Sequence, residues 1–307
     1  MKKPGVLILL SVALLSCNKS DEYFNKAKTA FDQKDYKLAI VNFDSVLQLT
    51  PDHAEALATR GSARYNINDY QGAISDYTKS IEYWPKDSEN DAELGKIYAD
   101  LADCYLNEKL YDAAIDNYTI AITKNNNLAV GYSGRGDAYI LKSKPETAQP
   151  DFEKAISLDP QLASAHYGLG NVKFDQEDFV AAIPHYSQAI ALDSSVAKYF
   201  MDRGDSYYMT EEYAKAAEDF SSAIQLDPTN SKAYVFRGDA NDEQGLAQEA
   251  IEDYNKAIEI APDYGLAYYN MGVTKKRQKD NAGACDAFKK ALNAGYQEAE
   301  HFVKECK

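Results

Sequence analysis

The sequence predicts an all-α fold, built as a tandem array of about eight helix–turn–helix units. The first observation is an alanine that recurs every 34 residues, with one longer step of 41 residues. The second is an aromatic ring four residues after each of these alanines. A fixed period of this length marks supersecondary units that stack on one another. The alanines are Ala39, Ala73, Ala114, Ala148, Ala182, Ala216, Ala250 and Ala284, and the rings are Phe43, Tyr77, Tyr118, Phe152, Tyr186, Phe220, Tyr254 and Phe288.

Other positions of the unit repeat as well, when the periodic alanine is counted as its twentieth residue. Position 8 is Gly or Ala in all eight units, position 27 is small in all but one, and position 32 is proline in five. Small side chains let two antiparallel helices approach closely, and a proline after the second helix prevents its continuation. Helical spacing within the unit is clear in segment 70–81, where Ala73, Ile74, Tyr77 and Ile81 form one stripe.

This register resembles the tetratricopeptide repeat, a helix–turn–helix of 34 residues, over residues 20–298. The alternative is a helical hairpin array of another family. The resemblance implies a right-handed superhelical solenoid whose concave groove is lined mainly by first helices, at positions 2, 5, 6, 9, 12 and 13. It also implies a C-terminal capping helix at 297–307. The predicted units are 20–53, 54–87, 95–128, 129–162, 163–196, 197–230, 231–264 and 265–298.

Two departures from the register carry structural predictions. Seven extra residues, 88–94, are expected to extend the first helix of the third unit toward its N-terminus, with Asp87 or Ser88 as the cap. Pro150 and Pro184 both stand at position 22, near the start of a second helix. Because proline is tolerated best in the first turn, we expect a displaced helix start or a mild kink at these two positions.

The N-terminus resembles a bacterial lipoprotein signal peptide. Two lysines precede the apolar run 6–15, which ends in Leu14-Leu15-Ser16-Cys17. The resemblance implies that residues 1–16 are removed, that Cys17 carries the lipid anchor, and that residues 17–19 form a short tether. The acidic pair after the tether resembles a surface-export signal of Bacteroidetes lipoproteins. The expected location is the bacterial envelope, most simply the outer membrane. The alternatives are an ordinary signal peptide and a retained anchor.

Composition limits the classes of partner. The formal net charge is −15, and the sequence pI is near 4.7. Nucleic acid is therefore a poor candidate, whereas a basic protein segment would be attracted. The alternative is that most of these acids are ordinary solvated helix residues. The apolar fraction of 45% excludes disorder, and no composition shift marks a boundary, so one elongated domain is expected.

No catalytic, cofactor or metal motif is present in the sequence. The four histidines, His53, His166, His185 and His301, lack metal-ligand spacing with cysteine or with one another. The chain has no phosphate-binding glycine loop and no nucleophile elbow. The favoured function is a non-catalytic scaffold that binds a partner segment in the concave groove. The alternatives are an assembly lipoprotein that docks through its convex face and, third, an enzyme.

An arginine and an aspartate occur together in four units. Arginine at position 7 is always accompanied by aspartate sixteen residues later, and units without the arginine lack the aspartate. The two positions lie on different helices of the unit, which predicts an ion pair between these helices. A neighbouring unit could share this ion pair. The alternative is common descent of duplicated units without contact. The pairs are Arg60 with Asp76, Arg135 with Asp151, Arg203 with Asp219, and Arg237 with Asp253.

The cysteines predict a disulfide at the C-terminal end. Cys285 and Cys306 lie about ten residues on either side of the turn between the last second helix and the capping helix. Antiparallel helices would bring them to the same height, and an exported protein folds in an oxidising compartment. The alternative is two separate thiols. Cys104, at a small apolar position of a first helix, is expected to be an inert buried thiol.

Acidic and aromatic residues recur at the groove positions that the resemblance implies. Apolar anchors within a polar field are typical of a recognition surface. The alternative is that rings at position 12 pack against the next repeat, and that aspartates at position 9 cap or bridge neighbouring helices. The candidate groove residues are Asp100, Asp103, Asp137, Tyr167, Phe174, Asp202, Asp205, Tyr208, Phe236 and Asp239.

Overall fold

A computed structural model describes residues 5–85 and 91–306 of the chain, with side chains from residue 19 onward. Within these residues every regular element is helical. The predicted all-α fold of tandem helix pairs is therefore confirmed. The chain divides into two compact units, residues 1–160 and 161–307, where one continuous domain was expected. In a repeat array each repeat contacts only its neighbours, so no single core unites the whole chain.

The first unit consists, in its described residues, of four helix pairs. Each odd-numbered helix packs against the helix that follows it, and the first three even-numbered helices each pack against the next odd-numbered one. The helices are α1 (Gly5–Asp32), α2 (Tyr36–Leu49), α3 (Ala54–Asn66), α4 (Tyr70–Tyr83), α5 (Asp91–Asn107), α6 (Tyr111–Lys124), α7 (Ala129–Leu141) and α8 (Pro145–Leu158).

The second unit repeats this arrangement and adds a short helical segment at its end. The segment follows the last pair and packs against its second helix. The helices are α9 (Ala163–Asp175), α10 (Phe179–Leu192), α11 (Ala197–Met209), α12 (Tyr213–Leu226), α13 (Ser231–Glu243), α14 (Ala247–Ile260), α15 (Gly265–Arg277), α16 (Asn281–Asn293), a 3₁₀ helix (Gln297–Ala299) and α17 (Glu300–Glu305).

The turn inside each pair has one backbone conformation. The residue at position 15 is left-handed in all eight repeats, with Gly245 as its single glycine. Its neighbour at position 16 is the N-cap of the second helix, where Asp35, Asp69, Asp178 and Asp280 accept a hydrogen bond from the backbone N–H three residues later. These caps satisfy N–H groups that the helix leaves without an internal partner.

The ring at position 24 fills the space beside the closest approach of each pair. All eight rings are buried, and each glycine at position 8 lies against the ring of its own pair. A Cβ atom on Gly204 would stand 2.8 Å from Phe220, and one on Gly238 would stand 2.6 Å from Tyr254. Contacts this short force the ring to move, so the glycine and the ring determine the helix separation together.

The four predicted arginine–aspartate ion pairs are all present. Arg203, for example, donates from Nε to Asp219 at 2.8 Å and from its terminal nitrogen at 2.7 Å. The other three pairs have the same two-point geometry. The remaining nitrogen of each arginine donates to position 25 of the preceding repeat, which is Ser187 for Arg203. Each guanidinium therefore joins three helices.

The structure bears on both predicted departures from the repeat register, the prolines at position 22 and the extra residues 88–94. Helices α8 and α10 start at Pro145 and Phe179, in register with the other second helices, and enclose Pro150 and Pro184. The expectation of a displaced helix start was therefore wrong, because each proline is accommodated inside its helix. Helix α5 begins at Asp91 and has 17 residues where the other first helices after α1 have 13. The predicted cap at Asp87 or Ser88 lies outside the described residues.

The C-terminal segment is fastened to the last pair. Cys285 on α16 and Cys306 after α17 form a disulfide, with their Cα atoms 5.7 Å apart. Phe302 stacks on Phe288 with ring centroids 4.5 Å apart. In place of one capping helix at 297–307, the segment is a 3₁₀ turn followed by the six-residue α17. Cys104 is a buried free thiol, and burial raises its pKa to about 12.

The N-terminal predictions fall largely outside this description. Side chains are described from residue 19 onward, so the signal peptide, the lipidation at Cys17 and most of the tether lie outside the described side chains. None of the helices among the described residues carries an apolar stretch long enough to cross a membrane.

Candidate functional site

Half of the predicted groove residues surround one cavity in the second unit. The cavity has a volume of about 260 Å³ and opens between first helices α9, α11 and α13, with one ring from α12 at its base. We call it the Asp205 cleft. Its lining residues are Phe174, Asp205, Tyr208, Met209, Phe220, Phe236 and Asp239.

Two of the rings that line the cleft, Phe174 and Tyr208, are held by contacts within their own repeats, whereas Phe236 packs edge-on against Phe220 of the preceding repeat. Phe174 packs edge-on against Phe179, with ring centroids 5.0 Å apart, and Tyr208 packs in the same way against Tyr213 at 5.3 Å. Each pair joins position 12 of the first helix to position 17 of the second helix in one repeat. The contact with the next repeat that was considered from the sequence also occurs at position 12, where the Tyr65 hydroxyl accepts a hydrogen bond from Asn107.

The residue at position 9 pairs with the ring at position 24. Where that ring is tyrosine, its hydroxyl donates to position 9 in each of the four repeats concerned. Two of the acceptors are aspartates: Asp239 accepts from Tyr254 at 2.8 Å, and Asp103 accepts from Tyr118. The other two acceptors are Ser62 and Asn171. Position 9 therefore bridges the two helices of its own repeat.

Asp205 lies opposite a ring without a hydroxyl, because its repeat has Phe220 at position 24. Its carboxylate accepts no hydrogen bond and forms no ion pair among the described residues, although it is largely covered. Burial and the charge of Asp202 raise the pKa of Asp205 to about 7. Burial also raises the pKa of Asp239, but the hydrogen bonds from Tyr254 and Asn270 act in the opposite direction, so the pKa rises only to about 6.

The remaining two predicted residues of the second unit lie beside the cleft and bind each other. The hydroxyl of Tyr167 donates to Asp202 at 2.5 Å. Lys198 lies over the Tyr167 ring, 5.1 Å from its centroid. Burial raises the pKa of Asp202, while the hydroxyl and the two nearby lysines lower it. This pair occupies groove positions and is already partnered inside the protein.

The three predicted aspartates of the first unit do not form an equivalent cleft. Asp100 and Asp103 line a cavity of about 140 Å³ together with Tyr65 and Tyr77. Burial and the charge of Asp103 raise the pKa of Asp100 to about 7, and burial raises that of Asp103 to about 6. Asp137 is half-buried on α7. This cavity is about half the volume of the Asp205 cleft.

Sequence reasoning missed Phe220 as a cleft residue, because all position-24 rings were assigned to the core. The available signal was that position 24 is phenylalanine in some repeats and tyrosine in others, and that only a tyrosine can donate to a polar residue at position 9. Among the described side chains, no three His, Cys, Asp or Glu residues are grouped to hold a metal ion. The lining of the Asp205 cleft is suited to non-covalent recognition of a group that is part apolar and part charged.

Comparisons with known families match the repeat register. Models described as "Tetratricopeptide repeat" match residues 24–88, 170–231, 201–265 and 266–294. A model described as "TPR repeat" matches residues 136–177. Together these matches cover more than half of the chain. No curated protein sequence matches it.

Solved structures are similar to parts of the chain. The protein MamA is 27% identical with a TM-score of 0.50, covering 54% of this chain and 96% of its own. YrrB, described as a TPR protein with an unusual peptide-binding site, is 25% identical with a TM-score of 0.51 over 62% and 95%. A tetratricopeptide repeat protein from Parabacteroides merdae is 18% identical with a TM-score of 0.60 over 84% and 99%.

Proposed function

We propose that this chain, which belongs to the tetratricopeptide repeat family, is a non-catalytic scaffold that binds a segment of a partner protein on its first-helix face. The family supports protein–protein interaction as the general class of function. YrrB, at 25% identity, is described as having a peptide-binding site, which supports a peptide segment as the kind of partner.

The observation that carries the proposal is the Asp205 cleft. Its lining combines four aromatic rings with two carboxylates, so it offers both apolar contact and charge. Met209 stands at its edge and is 53% exposed, so a bound segment can reach its apolar side chain. Exposed apolar groups beside polar ones are typical of binding surfaces.

The partner segment that we propose is basic. The chain carries a formal net charge of −15, and the cleft itself is lined by two aspartates, Asp205 and Asp239. Charge complementarity would raise the rate of association at low salt. The proposal does not include nucleic acid as a partner, because an acidic protein repels a phosphate backbone.

We also propose that the scaffold is anchored to the bacterial envelope by a lipid on Cys17, in keeping with an outer-membrane lipoprotein. The lipobox-like sequence before Cys17 supports this. The disulfide between Cys285 and Cys306 supports an oxidising compartment, because such bonds are rare in cytosolic proteins. A Cys17→Ser variant would then lose radiolabelled palmitate and leave the membrane fraction.

The second candidate is an assembly lipoprotein that docks through its second helices, on the convex face. One observation favours it: a cavity of about 510 Å³ lies along α12 and α14, with Glu218, Glu249 and Glu252 in its lining. This surface is separate from the Asp205 cleft, since the two share no lining residue. The two functions therefore predict contact with different helices.

Site-specific photo-crosslinking in intact membranes tests the two functions against each other. A photoreactive phenylalanine replaces Met209 at the cleft in one variant and Glu249 on α14 in another. The scaffold function predicts an adduct with a protein partner from the Met209 position and none from the Glu249 position. The reverse pattern, in a complex of fixed stoichiometry, would establish the second function.

A further inference from the structure

We infer that the Asp205 cleft binds a single lysine or arginine side chain of the partner protein, and that Asp205 gives up a proton to solvent when this side chain binds. This inference rests on the proposed function, because it names the group that the partner inserts and the linkage that follows. It is carried by the bonding of Asp205, the shape of the cleft and the charges around it.

The first argument is the unused acceptor capacity of Asp205. At the same repeat position, Asp239 and Asp103 each accept a tyrosine hydroxyl from their own second helix. Asp205 faces Phe220 and has no such donor among the described residues. A covered carboxylate without a donor is unfavourable, and an external donor would relieve it. An ammonium or guanidinium group is the strongest such donor in proteins.

The second argument is the apolar lining next to that carboxylate. Tyr208, Met209 and Phe236 surround the opening, and these surfaces suit the methylene stem of a long cationic side chain. The Phe236 ring already interacts with one cation, since Lys232 on the same helix lies 4.6 Å from its centroid. A cation over an aromatic face gains further attraction from the ring quadrupole.

The third argument is the set of charges that face Asp205. Asp202 lies on the same helix, Asp239 and Lys232 lie on α13, and Tyr186 faces it from α10. The two aspartates raise the pKa of Asp205 and Lys232 lowers it, while burial makes the largest contribution and brings it to about 7. A proton therefore occupies Asp205 for much of the time near neutral pH when the cleft is empty.

The linkage has a definite sign. A cation favours the ionised carboxylate and lowers its pKa, so the proton leaves as the cation binds. Binding of a cationic side chain is then weak below the pKa of free Asp205 and becomes stronger as the pH rises through it. An uncharged apolar side chain would show the opposite trend, because the protonated cleft is the more apolar one.

The test uses immobilised full-length protein and defined peptide libraries. Each library holds heptapeptides with one fixed central residue, lysine, arginine, norleucine or glutamate, and random flanks. We expect the lysine and arginine libraries to be retained in preference to norleucine at about pH 8. From about pH 5.5 to about pH 8, their retention should rise roughly tenfold or more, since a pKa of about 7 changes the ionised fraction by that order.

Two variants and one control complete the test. Asp205→Asn should greatly reduce both the preference and the pH dependence, leaving the smaller contribution of Asp239. Glu249→Gln makes the same charge change outside the cleft and should alter neither. Phe220→Tyr should restore the hydroxyl partner found at Asp239, whose pKa is about 6, and shift the midpoint of the rise downward by about one pH unit.

The outcomes separate the inference from the proposed function. Two outcomes overturn the inference and leave the scaffold function standing. In the first, the norleucine library is retained as well as the lysine library. In the second, Asp205→Asn leaves the preference for lysine intact. Retention of none of the libraries by the wild-type protein overturns both. A rise with pH that is unchanged in Phe220→Tyr overturns the assignment of the proton to Asp205.

Discussion

Arg203 donates two parallel hydrogen bonds to Asp219, and its third nitrogen reaches Ser187 in the preceding repeat. Both members of the pair are largely buried, with side-chain exposures of 19% and 6%. The guanidinium therefore joins a first helix, its own second helix and the second helix before it. The same arrangement recurs at the three other arginines, so each of the four arginines connects its repeat to the preceding one.

Replacing Arg203 with methionine should destabilise the second unit. The substitution leaves the Asp219 carboxylate buried without its partner, and breaking a buried pair in this way costs about 3–5 kcal/mol. Thermal unfolding followed by circular dichroism would show a lowered midpoint. The double variant Arg203→Met with Asp219→Leu removes both charges, and we expect it to recover a large part of the loss. Equal destabilisation in the single and double variants would contradict this account.

Removing the disulfide should loosen the C-terminal segment selectively. The bond closes a loop over a sequence separation of 21, and a loop of this size contributes about 3 kcal/mol in the chain-entropy model. In Cys306→Ser, amide hydrogens of residues 297–305 should exchange much faster, while those of α9 to α12 should be unchanged. The matched variant Cys104→Ser changes a buried thiol elsewhere and should leave exchange in the C-terminal segment unaltered. Unchanged protection in Cys306→Ser would contradict the prediction.

Stability should fall as the pH rises from about 5 to about 8. In the folded protein the pKa of Asp100 and that of Asp205 are each about 7, above the ordinary value of 3.8. The folded state therefore binds these protons more tightly than the unfolded chain. This contribution is complete below pH 4 or so and is lost as the pH passes through about 7. Midpoints of thermal unfolding across this range measure the effect.

The control for the pH prediction is the double variant Asp100→Asn with Asp205→Asn. The amides remove both titrating groups while keeping the side-chain size, so the dependence on pH should become flatter. Exposed acids whose pKa is lowered by a lysine partner, such as Glu22 and Asp286, titrate below this pH window and do not interfere. A midpoint that rises between about pH 5 and about pH 8 would contradict the prediction.

The repeat register shows how much of this fold can be predicted from sequence. The small residues at positions 8 and 20 and the ring at position 24 act within one repeat, so their period alone predicts their contacts. The arginine–aspartate pair was predictable for the same reason, since both residues appear together in four repeats. Its third bond to position 25, as in Arg203 to Ser187, involves another repeat and has no fixed residue type.

The candidate site was only partly predictable. Asp205 and Phe236 were assigned to the groove from their repeat positions, but four elements must come together before they line one cavity. The different bonding of Asp205 and Asp239, which share position 9, depends on whether Phe220 or Tyr254 faces them. The second helix around Pro150 was predicted, but not that it starts in register, because tolerance of a proline depends on how neighbouring residues accommodate the missing hydrogen bond.

Partner capture at two salt concentrations tests the central claim, that the acidic first-helix face of the second unit binds the partner. The test variant carries Asp202→Asn, Asp205→Asn and Asp239→Asn. A matched variant removes the same number of charges from the cavity along α12 and α14, through Glu218→Gln, Glu249→Gln and Glu252→Gln. The ligand is the protein crosslinked at the Met209 position.

At about 50 mM salt we expect the wild-type protein and the α12–α14 variant to capture this ligand equally well, and both to lose affinity severalfold at about 300 mM, where exposed charges are screened. The Asp202, Asp205 and Asp239 variant should bind weakly at both concentrations, with little dependence on salt. If it captures the ligand as well as the wild type does, with the same salt dependence, the binding surface lies elsewhere on the chain and the account is wrong.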